Sequence, residues 1–293
     1  MKFFLKIYII ALTLSLCVGC VDVQSHGDER FETVIYEPLY ASGFTIDEDE
    51  AGNTLVRVTR PWQGTALEEQ TLAIFSTEEA AKGYTGQHIV GHADRVVCMS
   101  TSHIAMLDAI ECVDAVVGVS GKQYVMNERV AANPKVEDVG YDSNLNYELL
   151  VSLNPDVVLM YGVSAANDAV TAKLRDLGIP YLYLGDYTEE LPLGKAEWVV
   201  AIAEIMGCRE RGEEVFAQIV QRYNDVRSSV VRKIGAPKVM FNLPYQDVWY
   251  MPSDDSYMVR LIEDAGGEYI YKGENPTGGS RGISLEEALT LVG

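Results

Sequence analysis

From Arg95 onward, short segments that are apolar along their whole length alternate with helical stripes. RVVCM (95–99), AVVGV (115–119), DVVLMY (156–161) and IPYLYL (179–184) carry almost no polar residue on either face. A strand with two apolar faces has to be covered twice, and the intervening segments supply the cover. Ile104, Leu107 and Ile110 recur at helical spacing, as do Val170, Leu174 and Leu177 before Gly178, and Trp198, Ile202 and Ile205 before Gly207. Asn146 to Leu153 reads as a short helix broken by Asn154-Pro155. The pattern specifies an α/β fold, a parallel sheet between two helical layers.

The flanks read differently. GFTID and TLVRVTR alternate around Ala51-Gly52-Asn53, the mark of a hairpin, and Leu72 to Phe75 adds a strand. Residues 33–87 are therefore a small β-rich extension, followed by an α/β lobe over 88–208. Val215, Ile219, Tyr223, Val226 and Val230 then stripe one long helix, placed at 209–235 and about 35 Å in length. Beyond Pro237 the alternation resumes. KVMFNL is a strand, Ser256 to Ala265 a helix closed by Gly266-Gly267, and Glu268 to Tyr271 a strand. Ser284-Leu285-Glu286-Glu287 has the form of a capping box. Asn146-Tyr147-Glu148 and Ser284-Leu285-Glu286 place a Glu two residues after a capping side chain, a weak internal repeat. Only the first copy runs on into a strand, so residues 236–293 read as an incomplete second lobe.

Lys2 and Lys6 precede an apolar run, Ile7 to Leu16, that is too short to span a bilayer as a mature helix. It ends in Cys17-Val18-Gly19-Cys20, which resembles a bacterial lipoprotein cleavage site. That resemblance implies a signal peptide over 1–19, lipid on Cys20, and a tether over 20–32. Cys98, Cys112 and Cys208 remain; none is in a Cys-x-x-Cys pair, and a disulfide between two of them stays open. The net charge of −20 argues against nucleic acid as a partner.

In order and spacing, RVVCMSTS, VVGVS, NYELLVSLNPDVVLMYG, LRDLGIPYLYLG, the long helix, and WYMPSDDSYMVRLIEDAGGEYIY with ISLEEAL resemble the periplasmic binding proteins for ferric siderophores, haem and cobalamin. The resemblance covers about residues 88–293. It implies two Rossmann-like lobes joined by one backbone helix and no enzymatic activity, cofactor or resident metal. The implied small-molecule ligand, a ferric siderophore, haem or cobalamin, lies between the lobes, outside the carboxyl ends of the strands. Tyr124, Tyr141, Tyr161, Trp249, Tyr250 and Arg281 fall there, and aromatic faces with a guanidinium suit a large, flat, partly anionic ligand. Taken as residues alone, Tyr161 and Trp249 fit a core place equally well, and Arg281 a solvated one. The resemblance also implies that Glu148 and Glu286 dock onto the membrane subunits of an ABC permease.

Two rival chemistries have residues to offer. His88, His92 and His103 are the candidates for a free zinc or manganese site, but a site shared between lobes needs ligands from both, and residues 236–293 hold no His. His103 reads as a polar residue at a helix start near the cleft. Gly278-Gly279-Ser280-Arg281-Gly282 matches the G-x-S-x-G expression of a hydrolase elbow. A Gly/Asn/Pro loop precedes it where an elbow needs a strand, and no His follows, so it reads as a flexible cleft loop.

Overall fold

The computed structural model describes residues 28–62, 69–162, 168–230, 235–272 and 280–292. The expected signal peptide, Cys20 and most of the tether lie outside them. Four antiparallel strands open the described chain: β1 (Thr33–Tyr36), β2 (Phe44–Glu48), β3 (Thr54–Val58) and β4 (Gln70–Phe75). The β2–β3 turn falls at the expected residues, held by Asp49, whose Oδ1 accepts the N–H groups of Ala51 and Asn53. After α1 (Glu78–Ala81), β5 (His88–Val90) joins β4 in parallel. His88 therefore belongs to the first sheet, and the boundary expected at 87/88 moves beyond Val90.

A second sheet follows: β6 (Val96–Cys98), α2 (Thr101–Ala109), β7 (Val116–Val119), α3 (Glu128–Ala131), β8 (Glu137–Asp138), α4 (Tyr147–Leu153), β9 (Val157–Met160), α5 (Asp168–Asp176), β10 (Tyr181–Tyr183) and α6 (Pro192–Ile205). Its order is β10-β9-β6-β7-β8 and every pairing is parallel. The chain builds outward from β6 through β7 and β8, then crosses back to add β9 and β10 on the other side. Ligands of such sheets sit at this reversal, outside the carboxyl ends. The long helix α7 spans Arg209–Ser229, shorter than the expected 209–235 and about 31 Å long. Val230, expected on its stripe, instead ends it with extended backbone.

The two sheets are fused. Helix α6 is buried on nearly all sides, two of its residues being Trp198 and Glu197, and Trp198 packs on Phe44 of β2 at 4.8 Å. Glu197 is fully buried; its Oε1 accepts the Tyr36 hydroxyl at 2.9 Å and the Leu39 N–H at 2.8 Å, and its Oε2 accepts the N–H groups of Tyr40 and Ala41, both at 2.7 Å. Glu189 takes the N–H groups of Ser42 at 3.0 Å and Gly43 at 3.1 Å, and the Trp198 indole at 3.0 Å. A charge can be buried where hydrogen bonds replace its water, and here five consecutive backbone amides do so. At the sheet edge, the side-chain carbonyls of Gln87 and Gln70 accept the N–H groups of Tyr181 and Tyr183, standing in for a neighbouring strand.

The rest of the described chain comprises β11 (Lys238–Val239), β12 (Val248–Pro252), α8 (Tyr257–Asp264), β13 (Glu268–Tyr269), β14 (Ser280–Ser284) and α9 (Leu285–Val292). β11 pairs with β13 in parallel and β12 with β14 antiparallel. The expected KVMFNL strand shrinks to Lys238–Val239, and the described part of the expected cleft loop, Ser280 to Gly282, is strand. Tyr223 and Arg227 on α7 both bind the Asp264 carboxylate, at 2.7 and 3.1 Å, docking this region on the long helix. No helix among the described residues is long and apolar enough to cross a membrane.

Candidate functional site

Each strand of the parallel sheet delivers its next residues to one edge. β9 ends at Met160, and Tyr161 follows it, 39% exposed at the point where strand order reverses. β7 ends at Val119, after which Gly121 turns the chain with φ 64° into a single 3-10 turn carrying Tyr124, 66% exposed. β8 ends at Asp138, and Tyr141 lies three residues on, 43% exposed. Asp138 joins the last two loops, accepting the N–H groups of Gly121 at 3.1 Å, Lys122 at 2.9 Å and Gly140 at 3.0 Å. A Cβ on Gly121 would lie 2.9 Å from the Tyr141 hydroxyl and 3.1 Å from the Tyr124 ring, so glycine at this left-handed turn lets both rings close over it. Gln123 donates to the Tyr141 hydroxyl at 3.1 Å. Three exposed aromatics thus share one edge of one sheet.

The second group of expected residues lies on the β12–β14 pair. Tyr250 sits opposite Gly282 and is 43% exposed, and Arg281 is the exposed partner of Met251. Trp249 takes the core place, one of its two expected readings. Neighbouring strand residues point to opposite faces; Trp249 packs on the small core beneath β12 and donates its indole N–H to Phe241 O at 2.7 Å. Its large apolar ring is used for packing. Among the described residues no hydrogen bond, ion pair or ring contact joins this group to the three tyrosines of the sheet edge. Cavities of about 540 and 470 Å³ open elsewhere, the first at the β10 seam beside Arg175 and the second over α8 beside Phe241.

The histidines are dispersed. His88 Nδ1 lies 3.1 Å from Gly86 O, and His92 lies 3.1 Å from Asp94. His103 lies at the expected helix start, in the first turn of α2, and is fully buried there. Its Nε2 is 3.9 Å from buried Asp186, which Lys195 holds at 2.6 Å. Burial pushes the His103 imidazole down to about 4, against the pull of Asp186. Lys195 also lies over the Tyr257 ring at 5.4 Å, a contact between the parallel-sheet region and α8. Asp186 and exposed Tyr187, which are not among the expected site residues, follow β10 at the same sheet edge. The signal was available: both come directly after an apolar strand, in Gly185-Asp186-Tyr187.

Ser280 begins a strand, whereas an elbow nucleophile stands between a strand and a helix. Glu148 and Glu286 occupy the same place in their helices, the second residue of α4 after the cap Asn146 and of α9 after Ser284. Asn146 Oδ1 accepts Leu149 N–H at 3.0 Å, Ser284 Oγ accepts Glu287 N–H at 3.1 Å, and both glutamates are exposed.

A family model described as periplasmic binding protein matches residues 96–291. An uncharacterized lipoprotein of Methanocaldococcus jannaschii is 31% identical over 201 residues, 64% of this chain and 47% of that protein. An uncharacterized ABC transporter substrate-binding lipoprotein of Bacillus subtilis is 26% identical over 172 residues, 57% of this chain and 52% of that protein. The matches thus span about half the length of these curated relatives. Among solved structures, the periplasmic haem-binding protein HutB of Vibrio cholerae aligns with a TM-score of 0.56 and 18% identity, covering 67% of this chain and 72% of that one. The vitamin B12-binding protein BtuF of the same organism aligns with a TM-score of 0.52 and 19% identity, covering 68% and 73%. At such identities the likeness is one of fold.

Proposed function

We propose that this chain, which belongs to the periplasmic binding protein family, is the substrate-capturing component of an ABC importer. Its ligand in this reading is a ferric siderophore, haem or cobalamin. What carries the reading is the placement of Tyr124, Tyr141 and Tyr161, all exposed and each just beyond the carboxyl end of a strand in one parallel sheet. A soluble protein has little reason to leave three large rings in water at one edge unless a ligand covers them. Tyr250 and Arg281, on opposite faces of the β12–β14 pair, are the contacts assigned to the second region, the arginine for an anionic group. Lipid on Cys20 holds the protein at the cell envelope, and Glu148 and Glu286 meet the permease subunits.

The rival is a carrier of free zinc or manganese. It needs three or four ligands converging on one point, and His88, His92 and His103 lie in three different places. An absorbance titration with haemin, a ferric hydroxamate siderophore, cyanocobalamin and zinc separates the two. Saturable binding of one of the first three is expected. Saturation by zinc alone, or by none of the four, contradicts the proposal.

A further inference from the structure

Helices α2 and α6 end alike. Each passes into a residue of left-handed conformation, Glu111 with φ 64° and Gly207 with φ 71°. The N–H of that residue turns back to the helix, Glu111 to Asp108 O at 3.1 Å and Gly207 to Glu204 O at 2.9 Å. The next N–H reaches five residues back, Cys112 to Leu107 O and Cys208 to Ala203 O, both at 2.8 Å. These are two Schellman caps, and in both the residue after the left-handed one is cysteine. Because α2 and α6 pack together in one core, the twin caps bring the two Sγ atoms to 3.8 Å across a sequence separation of 96. Both cysteines are partly exposed, while Cys98 is buried in β6. The Glu111–Arg211 ion pair, 3.0 Å, bridges the same junction to α7.

We propose that Cys112 and Cys208 are a covalent modification site, closing into a disulfide that ties the end of α2 to the cap of α7. The two sulfurs need to approach by somewhat less than about 2 Å to reach bonding distance. The oxidant is a low-molecular-weight disulfide such as oxidised glutathione. Burial, and then the Cys112 sulfur beside it, pushes the Cys208 thiol up to about 12. The Cys112 thiolate bonds to one glutathione sulfur, the glutathione S–S bond breaks, and one glutathione thiolate leaves and takes a proton. Cys208 then releases its proton to solvent and attacks Cys112 Sγ, expelling the second glutathione. Two protein thiols are oxidised and one glutathione disulfide is reduced to two thiols. Closure fixes the root of the long helix against the parallel-sheet lobe.

The test uses the full chain, folded, incubated with oxidised glutathione, alkylated and digested without reductant. A crosslinked peptide pair joining Cys112 to Cys208, lighter by two hydrogens, is the expected product. Reduction should then lower Tm by about 5–10 °C, as for a bond closing a long loop. Cys112→Ser and Cys208→Ser should match the reduced wild type in Tm and lose the dependence on reductant. Recovery of both thiols alkylated, glutathione adducts alone, or a bond from either cysteine to Cys98 would overturn the site. A correct crosslink that leaves Tm unmoved would overturn its role as a tie.

Discussion

The region up to Ser229 and the region from Lys238 onward use the same local grammar, capped helices alternating with short strands, yet their interiors differ. In the first, two five-stranded sheets share α6, and Ile46, Leu72, Val97, Leu159 and Ile202 are fully buried. In the second, two two-stranded pairs cover a cluster of six buried apolar residues among the described ones, of which Met251 alone is fully buried. The difference lies in layers, not in composition. A strand excludes water from both faces only when something lies on each side, and small cores bury a smaller share of their surface. The buried carboxylates follow the same rule. Glu197 is fully enclosed and answered by three amides and a phenol, whereas Asp264 keeps some exposure and binds Tyr223 and the largely exposed Arg227.

The largest expected effect tests that contrast directly. Glu197→Ala strips the acceptor from three backbone N–H groups and should cost about 4 kcal/mol or more in a urea titration. Asp264→Ala, with partners near water, should cost about 1 kcal/mol. Equal losses would mean that the two regions are not different in depth after all.

Acid gives the next effect. In the unfolded chain His103 takes up its proton near pH 6.5; in the folded chain, facing Asp186 and, through it, Lys195, it stays neutral down to about 4. The unfolded state therefore binds the extra proton between these values. Stability is full above about pH 6.5 and falls as pH drops toward 4, by about 3 kcal/mol. His103→Leu should flatten that limb of the stability curve. A limb that persists unchanged in the variant assigns the acid sensitivity to other groups.

The smallest effect on folding is expected at the exposed helix starts. Glu148→Arg with Glu286→Arg should shift stability by no more than about 1 kcal/mol, the scale of a charge at a helix terminus. Ligand affinity should be unchanged and ligand-dependent growth of cells abolished. Growth at the normal rate would remove the docking role from both residues.

What could be read in advance follows the same division. The four wholly apolar segments became β6, β7, β9 and β10 because a strand covered on both faces has no other way to be written. The β2–β3 hairpin was equally plain, its turn being local. The β12–β14 pair was not legible: it joins residues about thirty positions apart, and a Gly/Asn/Pro-rich stretch leads into β14. Trp249 and Tyr250 are adjacent aromatics, and which of them faces the core depends on that unseen pairing. Nor could Glu189 and Glu197 be recognised as ties to residues 39–43, since a carboxylate on a helix ordinarily signals a solvated face. The three tyrosines of the sheet edge were legible in position, because each follows a recognisable strand, while the role of Gly121 between two of them needed the fold.

In the proposed function the carboxyl edge of the parallel sheet holds the ligand. Equilibrium titration of the wild type and of Tyr124→Ala/Tyr161→Ala with whichever of haemin, ferric hydroxamate or cyanocobalamin the wild type binds tests it most directly. Loss of aromatic anchors should lower affinity about 30-fold or more, with the ligand-free Tm unchanged. Equal affinity in the variant, at an unchanged Tm, would place the ligand somewhere other than this edge.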